Sequence, residues 1–183
     1  GLGDVYKRQV LTGAVEAGRM RVEVARRSGG WVIVTSFVAS LALSALPVPE
    51  WASVWRPAWV ALVLAYWCIA LPNRVGVGVG WLAGLMLDVL MGTLLGQHAL
   101  GLSVVAFIAH KSHQRVRVLP PWQQALSVFP LVLLYQTIVF WINGARGVPV
   151  DGWAYLTGPL VSMFLWPWLF IVLRDMRRKF SVQ

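Results

Sequence analysis

One carboxylate sits where a carboxylate is expensive. Residues 76–96 read GVGVGWLAGLMLDVLMGTLLG, and Asp88 is the only charged side chain in the run. Gly76, Gly80, Gly84, Asp88, Gly92 and Gly96 recur every fourth residue. On an α-helix such residues share one face, so the row makes a groove of bare backbone with Asp88 in it. In lipid, rows of small residues let another helix approach closely. The spacing therefore predicts a helix-packing or partner interface. Three chemistries compete for the acid: accepting hydrogen bonds across the seam, from Thr93, Ser103 or a freed backbone amide; pairing with a partner protein; or carrying a proton or cation. No other Asp or Glu lies within an apolar segment, so a proton relay has little to work with.

The remaining candidates for chemistry are few. His110 and His113 stand at i, i+3, close enough to share a metal, but Lys111 and Arg115 surround them and no carboxylate or cysteine is near. They read as interfacial residues at a basic helix end, and His98 reads as a solvated residue of a turn. Cys68 is the single cysteine and lies inside an apolar run, so it reads as a small hydrophobe. No nucleophile elbow, phosphate loop or paired-histidine metalloprotease helix occurs. The expectation is a protein with no catalytic residues, metal or cofactor.

The elements that must position Asp88 are apolar. Of 183 residues, 58% are hydrophobic and 13% charged. Mean hydropathy is +0.67. A soluble domain is about a quarter charged, so this chain has too little polar surface to wrap a water-soluble globule. The reading is all-α, a polytopic membrane protein. Six apolar segments can be counted: 31–47, 58–71, one from after Arg74 to about Gly92, one from about Gln97 to His110, 125–142 and 153–173. The second and fourth are short for a bilayer core of about 30 Å and must recruit flanking residues or sit in a thinned membrane.

The third and fourth need an argument. One helix across the 36 residues between Arg74 and Lys111 would run about 54 Å. Two helices with a turn at Gly92–His98 fit instead. Charge agrees. With six spans and a cytoplasmic start, one side holds Arg21, Arg26, Arg27, Arg74, Lys111, Arg115, Arg117, Arg174, Arg177, Arg178 and Lys179; the other holds Arg56 and Arg146. That asymmetry is the positive-inside pattern. A five-span count would put Arg115 and the basic tail on opposite sides. The net charge of +9 thus reads as membrane topology rather than nucleic-acid binding.

On this count Asp88 lies about 21 Å from Arg74, in the outer half of the bilayer. Trp31, Trp51, Trp55, Trp59, Trp122 and Trp153 fall near segment ends, as interfacial belts do. Pro167 should kink the last helix. Arg174, Arg177, Arg178 and Lys179 form a membrane-surface basic tail within 174–183 that can attract anionic headgroups at about 1 kcal/mol each. Residues 1–19 read as a scar or misassigned start, with a native start expected at Met20 and a basic cytoplasmic segment over 20–30.

Three stretches, RPAWVALVLAYWCIALP (56–72), GLMLDVLMGTLLGQHAL (84–100) and FLWPWLFIVLRDMRRKF (164–180), resemble the rod shape-determining protein MreD family of Gram-negative bacteria. The likeness runs from about residue 28 to the end. Its specific part is the G-x-x-x-D-x-x-x-G-x-x-x-G-x-H-A-L block, carried by Gly84, Asp88, Gly92 and Gly96. The resemblance implies a six-helix inner-membrane protein with both ends cytoplasmic. It implies a non-enzymatic scaffold or regulator of the cell-elongation machinery, acting in lateral peptidoglycan synthesis and rod shape. The implied partners are MreC, MreB, RodA and its partner transpeptidase, with membrane lipids and no nucleic acid. It also implies a fold similar to the substrate-binding subunits of energy-coupling-factor transporters. That likeness keeps open an alternative, a small-molecule-binding subunit of a transporter.

Overall fold

The computed structural model describes residues 30–47, 49, 55–148 and 154–180. The expected scar and start at 1–19 and 20, Trp51 and Trp153 lie outside the described residues. Six helices follow one another: α1 (Gly30–Ala45), α2 (Trp59–Ala70), α3 (Val77–Met91), α4 (Gln97–Val116), α5 (Pro121–Ala145) and α6 (Ala154–Lys179). α5 and α6 contain stretches long and apolar enough to cross a membrane, and most of each stretch faces outward.

The sequence punctuates these helices. α2 ends where Leu71 precedes Pro72, since a residue before proline avoids helical backbone. α5 begins with Pro121 in its first turn, where a missing N–H costs nothing. Between Arg74 and Lys111 there are two helices, not one, and the break falls at Gly92–Gly96. Gly92 takes φ 63° and Gly96 φ 102°, left-handed backbone that glycine adopts without a Cβ penalty.

Three boundaries differ from the apolar segments by four residues or more. α4 runs past His110 to Val116, α5 starts at Pro121 rather than 125, and α6 runs past residue 173 to Lys179. Arg174, Arg177, Arg178 and Lys179 are therefore the last turns of a helix. α6 also continues through Pro159 and Pro167, and α5 through Pro130.

α2 sits at the centre. Val60 through Ile69 are all buried, on every side of the helix, because α1, α4, α5 and α6 all pack around it. A helix apolar all round wants that position. At 12 residues it is about 18 Å long. Its surroundings are protein. The outer surface is apolar as well: Trp31, Val89, Phe107, Trp141, Phe164 and Trp168 are all exposed.

Polar side chains in this core bond across helices. Trp67 on α2 is fully buried, and its indole N–H donates to Ser36 Oγ on α1 at 2.8 Å. The Ser36 hydroxyl in turn donates to the Ile33 carbonyl at 2.7 Å. Ser162 on α6 accepts from the Ala58 N–H at the head of α2, at 3.0 Å. Removing the Ser36 hydroxyl would leave a buried donor without an acceptor, at a cost of about 2 kcal/mol. Ser36→Ala should lower thermal stability in detergent, and adding Trp67→Phe should recover part of the loss. Equal melting of Ser36→Ala and the parent would remove this contact from the account.

Candidate functional site

Asp88 lies in the last turn of α3 and is completely buried. It is the one buried carboxylate among the described residues. Its two oxygens accept four hydrogen bonds. Oδ1 takes the Thr93 hydroxyl at 2.9 Å and the His98 N–H at 2.9 Å. Oδ2 takes the Gly96 N–H at 2.9 Å and the Ala99 N–H at 3.4 Å.

The three backbone donors have a common origin. The first N–H groups of any helix lack partners within it. A capping side chain normally comes from the residue just before the helix. Here that residue is Gly96, which has none. Asp88, one helix earlier, reaches across the turn and caps α4 instead. The positive end of α4's dipole faces the carboxylate, which favours the negative charge. A buried anion is tolerable because backbone amides replace its water. Among the described residues no cation pairs with it.

The turn is short because the chain closes on itself there. The Gly92 N–H returns to the Asp88 and Val89 carbonyls, which ends α3. The Thr93 N–H also donates to the Asp88 carbonyl, at 3.0 Å. Thr93 thus binds both the backbone and the side chain of Asp88. Ser103, the other hydroxyl expected to reach the acid, donates to the Ala99 carbonyl and not to Asp88.

The glycine row splits in three. Gly84 lies against α4 so closely that a Cβ would stand 2.2 Å from Ala99 Cα and 2.5 Å from its nitrogen. At Gly80 a Cβ would stand 2.9 Å from the Leu102 carbonyl oxygen. At Gly76, Gly92 and Gly96 a Cβ would meet nothing within 4 Å. Gly76 precedes α3, and Gly92 and Gly96 form the turn. A four-residue period describes a face only while the chain stays helical, and α3 stops at Met91. The close approach is therefore confined to Gly80 and Gly84, and it faces α4 of the same chain.

A polar layer surrounds the cap. His98 is not a solvated turn residue. It is half-buried in the first turn of α4, and its ring Nδ1 lies 2.9 Å from the Tyr135 hydroxyl on α5. The buried Gln97 amide donates to Asn143 Oδ1 at 3.0 Å and accepts from Arg146 at 3.4 Å. A Cβ at Gly101 would strike the Tyr135 ring at 2.8 Å. The head of α4 is thus held by α3 through Asp88 and by α5 through Tyr135 and Asn143. The only signal in the sequence was a run of polar residues, Gln97 and His98, opening an otherwise apolar helix.

The other candidates stand apart from this site. The rings of His110 and His113 lie 5.7 Å apart near the far end of α4. No group of three metal-ligating side chains occurs among the described residues. Cys68 is buried in α2. Arg174, Arg177, Arg178 and Lys179 close α6. The arrangement at Asp88 fixes an angle between helices; all its acceptor capacity is spent on the turn and the head of α4.

No solved structure matches this chain. The rod shape-determining protein MreD of Haemophilus influenzae is 36% identical over 149 residues, which is 81% of this chain and 92% of that protein. The matched residues of the family, described as rod shape-determining protein MreD, are 25–176, and they include every residue of the cap. This chain belongs to the MreD family.

Proposed function

We propose that this chain is a multi-pass protein of the bacterial inner membrane that serves rod-shape determination as a non-enzymatic component of the cell-elongation machinery. On a six-span count the basic end of the bundle, with Arg74, Lys111, Arg117 and Arg177, would face the cytoplasm. Its partners would be MreC, MreB, RodA and the transpeptidase that works with RodA. Family membership carries the shape-determining role. The observation that favours a scaffold over an enzyme is the use made of Asp88. Its oxygens are committed to backbone amides that join two helices, which serves rigidity.

A second reading has one observation in its favour. A cavity of about 370 Å³ opens beside the cap, lined by Arg56, Thr93, His98, Tyr135 and Gln136 among others. A small-molecule-binding subunit would use such a space. Affinity purification of the tagged protein from native membranes in mild detergent separates the two. Co-purification of MreC-like and wall-polymerase proteins is the expected result. Recovery of nucleotide-binding ATPases together with a small ligand would replace the scaffold reading with the transport one.

A further inference from the structure

At the opposite end from the cap, α2, α4 and α6 finish and α5 begins. A cavity of about 170 Å³ lies among them, several times the space one water needs. Three guanidinium groups line it: Arg117, just after α4, and Arg174 and Arg177 on α6. Tyr66, Gln124 and Trp166 complete its polar lining.

Two features mark this place as more than a basic helix end. Trp166 is completely buried, and its indole N–H has no acceptor. Buried indoles nearly always find one. Gln124 is also buried; its amide N–H donates to the Leu119 carbonyl at 2.9 Å, and its Oε1 is left without a donor. The arginines keep donors to spare, although Arg174 pairs with Asp175 and lies 6.0 Å over the Phe170 ring. Arg174 Nε is buried without a hydrogen bond, 3.5 Å from the exposed Asp175 carboxylate. Among the described residues Arg117 and Arg177 form no ion pair.

We propose that this cavity binds a phosphate-bearing group, either the headgroup of an anionic lipid or a free phosphate. A phosphate presents several acceptor oxygens, and the planar forks of arginine match them with paired N–H donors. The Trp166 N–H supplies a further donor from the buried floor. Gln124 Oε1 needs a hydrogen-bond donor, and the hydroxyl of a glycerol headgroup or of a monoprotonated phosphate provides one. The site lies at helix ends, the level of the headgroups if the helices span. The lipid source therefore rests on the membrane reading above, whereas phosphate binding in itself does not.

The test uses the full chain purified in detergent. Native mass spectrometry follows retention of added phosphatidylglycerol against phosphatidylcholine, with inorganic phosphate as competitor. Arg117→Gln with Arg177→Gln should weaken phosphatidylglycerol retention about tenfold or more, since each removes a charge-assisted contact. Arg178→Gln with Lys179→Gln, on exposed residues of the same helix end, should change it by less than about twofold. If the first pair does not fold, Arg117→Gln alone serves, because Arg117 is exposed. Displacement by phosphate supports a site open to either source. Arginine dependence without displacement supports the lipid. Equal weakening by both pairs would show diffuse surface attraction and overturn the proposal. Failure of both phosphatidylglycerol and phosphate to bind would overturn it too.

Discussion

Gly84→Ala should destabilise the protein by about 3 kcal/mol, a large effect for one methyl group. The added carbon would stand 2.2 Å from Ala99 Cα, 2.5 Å from Ala99 N and 2.8 Å from His98 C. All three are backbone atoms, so no side chain can rotate away. α4 must move, and moving it stretches the bonds from Asp88 to the Gly96, His98 and Ala99 amides. Overpacking a well-filled core typically costs 1–3 kcal/mol, and a backbone collision belongs at the upper end or beyond. Two other glycines on α3 calibrate the result. Gly80→Ala meets the Leu102 carbonyl oxygen at 2.9 Å and two side-chain carbons at 3.0 and 3.2 Å, and should cost less. Gly78→Ala meets nothing within 4 Å and should be neutral or slightly stabilising, because alanine is the better helix former. The measurement is thermal unfolding of the three variants in one detergent. Gly84→Leu should go further and abolish both the fold and rod-shape function. Equal melting of Gly84→Ala and Gly78→Ala would dismiss the close approach of α3 and α4.

How much of this was legible depends on how local each cause is. The break between α3 and α4 was, because glycine and polar residues interrupt an apolar run too long for one helix. That Asp88 points inward was, because it shares a face with Gly84. The face that Gly84 meets was not. A small-residue row says only that something comes close, and it takes the fold to show that this is α4, the helix immediately following. Nor did the row reveal its own ends; Gly92 and Gly96 keep the four-residue rhythm but leave the helix. The polar layer was illegible for a different reason. Gln97 and Asn143, and His98 and Tyr135, are 46 and 37 residues apart, and no local pattern couples them. The arginine cavity depends on α4 and α6 continuing about six residues beyond their apolar segments. Hydropathy marks where a helix is apolar, and both helices carry on as charged turns.

Asp88→Leu should be the most damaging single change at the cap, costing more than about 3 kcal/mol. Leucine is close to aspartate in reach but accepts nothing. The Gly96, His98 and Ala99 amides would then be buried without acceptors, each at about 1–3 kcal/mol before relaxation. Water could relieve that only by entering the turn and loosening it. Asp88→Asn should be milder, at roughly 2 kcal/mol. One oxygen remains to accept two bonds, while the amide nitrogen turns donors toward donors and the attraction to the helix dipole is lost. Thr93→Val removes a single donor at 2.9 Å and should cost about 1 kcal/mol. The order Leu, Asn, then Thr93→Val separates three explanations of the acid. If Asp88 served a partner through its charge, Asn and Leu would be equally defective in co-purification while both melted like the parent. If it carried a proton, Asn would abolish function without loss of stability. A stability ranking that parallels loss of rod shape assigns Asp88 to the joint between α3 and α4, and makes the rigidity of that joint the property on which the protein's function rests.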